Sequence, residues 1–500
     1  MTSINSDFMS QLALRSLGNS SNMMTQAMER LSTGKRVNSA ADDAAGLGIA
    51  TKLKAQVNSL NAASRNATDA LALIGTIDGA LEESSEILLR MRELAVQSAS
   101  DTNTGTDRSF IQDEINALNN ELNRISSSTE FNSVKLLDGT YNNKQIQIGT
   151  SANQVFNIGV TSTDAATLGA YQMESLAEHN ATATADAAAA VTAATALINA
   201  AGDYTVKGSF GSTTVNIAAG DDAKTVAQSF NLAAGTTGIT AAAITKAKIT
   251  AVSAETYSFT LKGKSATAST VNATVTSATN LTALKDAINS VSGVTGITAA
   301  LTEDLSGVNL VQQDGFDIVV GDVTSSGSGT MTMGAADKNG DAVSQAAVAL
   351  GGATGTDSQV IIGQISLSSH KAFTVTSGNA ANHFATDTAA QTSTLQTMGA
   401  VDISSQSGAT NALSVIDGAI AMISEIRSEM GAAENRLTST VDNLSNVSVN
   451  TQRSLTAVED ANFASETSAL TKAQILQQAA TSMLAQANKA KQTMLVLLQG

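Results

Sequence analysis

Residues 469–500 read ALTKAQILQQAATSMLAQANKAKQTMLVLLQG, and this stretch decides the fold. Ala469, Ala473, Leu476, Ala480, Met483, Ala487, Ala490, Met494 and Leu497 recur in alternating steps of four and three. That spacing is a sustained heptad seam, the signature of a helix that packs along its length against another. The opposite end of the chain carries a matching pattern at Leu14, Leu17, Met24, Met28 and Leu31, interrupted at Ser21 and preceded by Ile4 and Phe8. We take Leu14, Leu17, Met24, Met28, Leu31, Leu476, Ala480, Met483, Ala487, Ala490, Met494 and Leu497 as the packing seam.

Inward from these ends the helical pattern continues. A helix is predicted after Ser39-Ala-Ala-Asp-Asp43, running to about Ala99 on a seam that includes Leu53, Leu60, Leu71, Ile77, Leu88 and Met91. At 1.5 Å per residue it would be roughly 80 Å long. Asp42 and Asp43 read as helix-start residues, not as a catalytic carboxylate pair. A loop at Asp101 to Gly105 precedes a helix carrying Ile111, Ile115, Leu118, Leu122 and Ile125. A third long helix carries Leu413, Ile416, Ile420, Ile423, Met430, Leu437, Val441 and Leu444. Leu137-Asp-Gly-Thr-Tyr141 and the alternation at Ile146, Ile148, Phe156, Ile158 and Val160 predict a β-hairpin on this bundle.

From about 165 to 400, Ala, Thr, Ser and Gly dominate and the long seams stop. Thr237-Gly-Ile-Thr-Ala241 returns as Thr295-Gly-Ile-Thr-Ala299, 58 residues later. Phe230-Asn231 matches Ile288-Asn289 at the same offset, and Val206-Lys-Gly208 resembles Leu261-Lys-Gly263. Each unit reads strand, short helix, strand, which predicts two small β-rich modules. Residues 183–201 suit a helix or a linker, and 321–355 read as loop-rich. The fold class expected is thus a mainly α elongated bundle or coiled coil formed by both termini, with a β-hairpin and an inserted β-rich α+β repeat region. Its domains are 1–45 with 455–500 (terminal coiled coil), 46–165 with 405–454 (three-helix rod and hairpin) and 166–404 (outer insertion, with the repeat at about 203–323).

Composition agrees with this division. The chain has 500 residues, 42% of them hydrophobic, with only 3% aromatic and no proline, cysteine or tryptophan. Proline breaks helix interiors and central strands, so its absence suits long unbroken elements. Without cysteine there is no disulfide framework and no thiolate metal site. The formal net charge is −16, unfavourable for a phosphate backbone, so no nucleic-acid partner is expected. Acidic and basic residues balance within 1–45 and within 456–500, and the negative charge lies between them. Neutral ends can crowd together in many copies, while an acidic middle favours solubility.

No motif supports catalysis. His179, His370 and His383 are scattered, none belongs to an HExxH motif, and polar flanks suggest solvated surface positions. Asp337-Lys-Asn-Gly-Asp341 only faintly resembles a calcium loop and reads as a polar turn. No phosphate-binding glycine motif or GxSxG elbow occurs. Neither an enzyme nor a cofactor or metal site is expected. The first eight residues lack a basic, apolar leader, and no run of about 18 uncharged apolar residues suggests membrane insertion.

The ends resemble bacterial flagellins. The segments that carry the resemblance are residues 31–47 (LSTGKRVNSAADDAAGL), 92–98 (RELAVQS), 131–137 (FNSVKLL), 460–466 (DANFASE), 472–478 (KAQILQQ) and 484–488 (LAQAN). They cover about residues 1–165 and 405–500, and the central repeat resembles insertion modules of some flagellins and hook-associated proteins. The resemblance implies a subunit that polymerises helically into the flagellar filament for swimming motility. It implies an extracellular location, reached through the flagellar type III export apparatus with an export chaperone and without a cleaved signal peptide. Partners implied are copies of itself, the distal cap and the hook-associated junction proteins. Paired terminal helices would line a central channel, and the insertion would project outward. Recognition by a host Toll-like receptor would fall on Arg90, Leu94 and Glu114, with Leu89 where many recognised flagellins have Gln. A terminal helix alone has little partner surface to offset ordering entropy, so the ends are expected to fold on assembly; an intramolecular coiled coil is the alternative. A hook–filament junction protein, or a flagellin with an enzymatic or adhesive insertion, are the other readings. Residues 489–494 (KAKQTM) lack a proline often found there in the family.

Overall fold

A computed structural model describes residues 8–175, 181–184, 202–218, 220–302, 304–337, 347–351, 356–378, 384 and 389–499. Among them the main helices are α1 (Phe8–Thr33), α2 (Ala44–Ser98), α3 (Gly105–Ser128), α4 (Ala223–Leu232), α5 (Thr282–Ser290), α6 (Gln406–Glu459) and α7 (Phe463–Gln499). Local chemistry sets their ends. α1 stops where Gly34 takes φ +72, a left-handed conformation that glycine adopts without a Cβ penalty. α2 starts after Asp43, whose carboxylate accepts the Gly46 N–H at 2.8 Å. Asp42 instead ties down the preceding loop: it accepts the Ser39 N–H and hydroxyl and the Asn38 N–H. The Ser39 backbone bond above all holds its carboxyl below the usual range. α3 opens on a capping box between Thr104 and Asp107.

The chain divides into two compact units. The first comprises Met1–Gly75, Asn143–Ile158 and Gly431–Gly500; the second comprises Thr76–Asn142 and Gly159–Met430. α2 and α6 contribute residues to both. In the first unit α1 packs against α7, and the expected hairpin forms from strands Lys144–Gln147 and Val155–Ile158. The hairpin is fixed by the Asn66 amide donating to the Gln147 carbonyl at 2.9 Å, and by Arg436 stacked over the Phe156 ring.

The second unit joins a helical core to three large sheets and a two-stranded one, Glu130–Phe131 with Val134–Lys135. Ile77, Leu81, Leu88 and Met91 of α2 are fully buried, as are Ile115 and Leu122 of α3 and Ile416 and Ile423 of α6. An 18-residue window of α6 reaches a mean hydropathy of 1.2, enough by composition to cross a membrane. Within the protein 33% of that window is buried, and Ile416, Ala419 and Ile423 of α6 pack in the helical core. Beyond the helices lie a five-stranded, an eight-stranded and a four-stranded sheet. The eight-stranded sheet holds strands Gly169–Glu174 and Thr394–Thr397 side by side, antiparallel, with Thr394 opposite Gln172 and Thr397 opposite Gly169.

The repeat is structural. The first module runs through strands Gly202–Lys207 and Ser212–Ile217, α4, a helical turn at Ala234–Thr237 and strand Thr240–Thr250. The second runs through Thr256–Lys262 and Ser269–Thr274, α5, a turn at Ser292–Thr295 and strand Ile297–Leu301. Each therefore has a strand pair, not one strand, ahead of its helix. Phe230 and Ile288, equivalent in the repeat, are both buried. Residues 321–355 are not loop-rich as expected: among the described residues, strands Ile318–Ser325, Met331–Ala335 and Val348–Leu350 cross this stretch. Met331, Met333 and Leu350 are fully buried, so a few well-spaced apolar residues outweigh the Gly and Ser content. In residues 183–201 only Ala183 and Thr184 are described, at the end of strand Ala181–Thr184.

One glycine sets the distance between helix and sheet. A Cβ on Gly418, mid-α6, would lie 2.5 Å from the Ala170 Cβ and 2.8 Å from the Gly169 carbonyl oxygen. Neither is a flexible side-chain end. Gly418→Ala is therefore expected to destabilise the second unit by about 1–3 kcal/mol despite alanine's better helix propensity. Thermal unfolding of the variant reads this; an unchanged or raised Tm would contradict it.

Candidate assembly interface

α1 and α7 pair antiparallel, because the end of α1 is stitched to the start of α7. The Arg36 N–H donates to the Glu459 carbonyl at 2.7 Å, and the Ala461 N–H to the Gly34 carbonyl at 2.9 Å. Arg30 bonds Glu466 at 3.3 Å, and Lys35 pairs with Glu459. The charges that make each end neutral are thus spent partly on holding the two ends together.

Burial along the pair follows two interlocked heptads. On α1 the shielded positions include Ala13, Leu17, Ser20, Met24, Ala27 and Leu31; on α7 they are Leu470, Ala473, Gln477, Ala480, Leu484 and Ala487. Small residues recur in both rows, which lets the helices approach closely. Five of the predicted seam residues, Leu17, Met24, Leu31, Ala480 and Ala487, stand in these rows. Four do not: Leu14, Met28, Leu476 and Met483 are 54%, 48%, 38% and 62% exposed. The predicted seam therefore combined two faces, because the alanine row of α7 borders both. The side chains of Ala490, Met494 and Leu497 lie outside the described residues. Sequence reasoning missed Ala13, Ser20, Ala27, Leu470, Gln477 and Leu484; their signal was the same seven-residue step, carried on α1 by small residues and on α7 by two leucines with a glutamine between them.

The outward faces carry exposed apolar side chains among polar ones. Leu12 and Met23 of α1 and Ile475 of α7 are exposed beside the four residues above. On α7, Ile475 and Leu476 line an open groove with Thr467, Ser468, Thr471 and Lys472.

A second exposed cluster lies on α2 and α3. The Arg90 guanidinium donates to Glu114 at 2.9 Å and also bonds Glu93, with Leu89 exposed alongside. Leu94 does not join them. It is 1% exposed, turned into the helical core, so its assignment to a receptor-facing position is corrected. His370 is also not a solvated surface histidine: its side chain is 15% exposed, near Glu425 and against the Phe210 ring. His179, His383 and residues 338–341 lie outside the described residues.

The flagellin N-terminal helical region matches residues 4–142, and the flagellin C-terminal helical region matches residues 413–498. Along its whole length the chain is 36% identical to B-type flagellin of Pseudomonas aeruginosa, over 99% of each chain. The chain belongs to the bacterial flagellins. This flagellin is also 32% identical to flagellin of Salmonella rubislaw, over 99% of each. The flagellin hook IN motif matches residues 258–314, within the second module and the strand that follows. Among solved structures, FliC from Burkholderia pseudomallei is 18% identical, covering 73% of this chain and 99% of that one at a TM-score of 0.30. This flagellin is a structural subunit of the extracellular flagellar filament.

Proposed function

We propose that the outward faces of α1 and α7 are the surfaces through which subunits polymerise helically, with 1–45 and 455–500 as the core domain. The observation that carries this is that apolar side chains stay exposed on helices already paired. Residues 46–165 with 405–454 then form the surrounding rod, and 166–404 the outer insertion. Electron microscopy of purified chain tests this: long filaments are expected, whereas a short collar would favour a hook–filament junction protein.

In this reading the partners beyond self are the distal cap, the hook-associated junction proteins, an export chaperone and the type III apparatus. Export proceeds without a cleaved signal peptide. The terminal helices gain most of their partners on assembly, so amide exchange at Leu476 to Ala487 should be fast in free subunits and slow in filaments. Strong protection in the free subunit would refute that. No catalytic role is assigned to the insertion; a hydrolase screen that found turnover would reverse this.

Receptor recognition is narrowed to Arg90 and Glu114. Arg90→Ala is expected to lower Toll-like receptor signalling by free subunit at least tenfold, since it unpairs both Glu93 and Glu114 at a would-be contact. Unchanged signalling would remove the proposal for this chain.

A further inference from the structure

The residues kept identical between the two modules make the same bonds. In the first, the Asn231 side chain donates to the Ala241 carbonyl and accepts the Ala241 N–H, each at 2.8 Å. In the second, Asn289 does the same at Ala299, at 2.9 and 2.8 Å. The Thr237 hydroxyl accepts the Ile239 N–H at 3.3 Å, and the Thr295 hydroxyl accepts the Ile297 N–H at 3.3 Å. Gly238 and Gly296, with φ +73 and +69, turn the chain between each threonine and its strand.

These bonds fall on strand edges. Strand Ile297–Leu301 is the last in its sheet and pairs on one side only, with Val308–Gln312. Strand Thr240–Thr250 is paired by Val308–Gln312 only from Thr245 onward, which leaves the edge at Ala241 to Asn231. In an antiparallel strand, alternate residues present their N–H and C=O to opposite sides. Ile297 and Ala299 are alternate residues, and their outward groups are the ones covered. An open edge whose N–H and C=O groups are unpaired is a template for another chain. Residues 297–301 (ITAAL) carry no charge and no proline, so they lack the usual protection.

We propose that Asn231, Thr237, Asn289 and Thr295 seal the edges of strands Thr240–Thr250 and Ile297–Leu301, so that a second copy of the chain cannot add its own strand there. The side-chain amide takes the place of a neighbouring strand's peptide group, one donor and one acceptor at one residue. Part of the repeat is thereby explained: Asn231 with Asn289, and Thr237 with Thr295, recur where the edge must be occupied.

The chain has no cysteine, so one introduced thiol reports edge pairing. Thr298 is exposed, on the edge strand. In a two-fold antiparallel pair centred there, two copies of Thr298→Cys would face one another at disulfide distance. Full-length chain carrying Thr298→Cys is oxidised with diamide in dilute solution, with and without Asn289→Ala. Asn289→Ala is expected to raise the disulfide dimer at least tenfold, and adding Ala299→Pro to return it to the starting level. Proline there removes the outward N–H and spares the bonds to Val308–Gln312. If Asn289 only anchors α5, Asn289→Ala lowers the Tm with no more dimer, and the proposal falls. Dimer that persists with Ala299→Pro also overturns it, since pairing then does not use this edge. Should Asn289→Ala unfold the module, Asn289→Asp serves instead. It can accept from the Ala299 N–H but cannot donate to its carbonyl, and an intermediate rise is expected; no rise overturns the proposal equally.

Discussion

Met483→Glu is expected to abolish filament growth while the free subunit keeps its fold. Met483 is 62% exposed, one heptad step after Leu476, and faces away from α1. In an assembled wall its side chain would be buried against a neighbour, worth about 2 kcal/mol in transfer terms. A glutamate there loses that gain and must also be desolvated or kept protonated. A combined cost of about 3 kcal/mol raises the critical concentration more than a hundredfold. Sedimentation and electron microscopy read the polymer, and circular dichroism reads the subunit. Ala480→Glu should block growth by a different route: Ala480 is 7% exposed, on the row facing α1, so its replacement breaks the α1–α7 pairing that forms on assembly and leaves the rest of the free subunit intact. Normal filaments from Met483→Glu would refute the assignment of the outward face.

Asp317→Asn should stabilise the second unit at pH 8 and leave it unchanged near pH 4. Burial pushes the Asp317 carboxyl up to about 7, and the nearby Asp222 carboxylate adds to the rise. The Gly363 N–H and Lys262 pull the other way without reversing it. The ordinary value, held in the unfolded chain, is 3.8. The stability this carboxyl contributes is therefore fully present below about 3.8 and is lost as pH rises through about 7. Asparagine keeps the shape and cannot ionise. The gain at pH 8 is expected to be about 2–4 kcal/mol, read as a higher Tm of the unit; equal Tm values for both proteins at pH 8 would contradict it.

Much of this fold was legible in the sequence because its longest elements are periodic. Asp43, Thr104 and Gly34 mark helix ends by chemistry that depends on neighbours only a few residues away. The repeat was legible because its polar residues act within ten positions of one another. The inner face of the terminal pair was harder. Ala473 and Ala480 serve a face completed by Leu470, Gln477 and Leu484, yet they also continue an alternating four-and-three step through Leu476 and Met483, and that step was the one read. Leu94 was misplaced because family likeness names a position without its burial. Strands within 321–355 were missed because their partners lie far off: Met331–Ala335 pairs with Thr240–Thr250, a contact that no local pattern announces.

Strands Gly169–Glu174 and Thr394–Thr397 are hydrogen-bonded neighbours, so the chain leaves the helical frame and returns to it at adjacent strands. Adjacent strands stand about 4.8 Å apart. A domain whose own termini meet at that separation could enter the chain there, but it would forgo the Lys246–Ser407 and Lys371–Glu425 bonds by which the native one also rests on α6. That adjacency is a natural splice point, and the bonds to α6 are what a new cargo would have to do without.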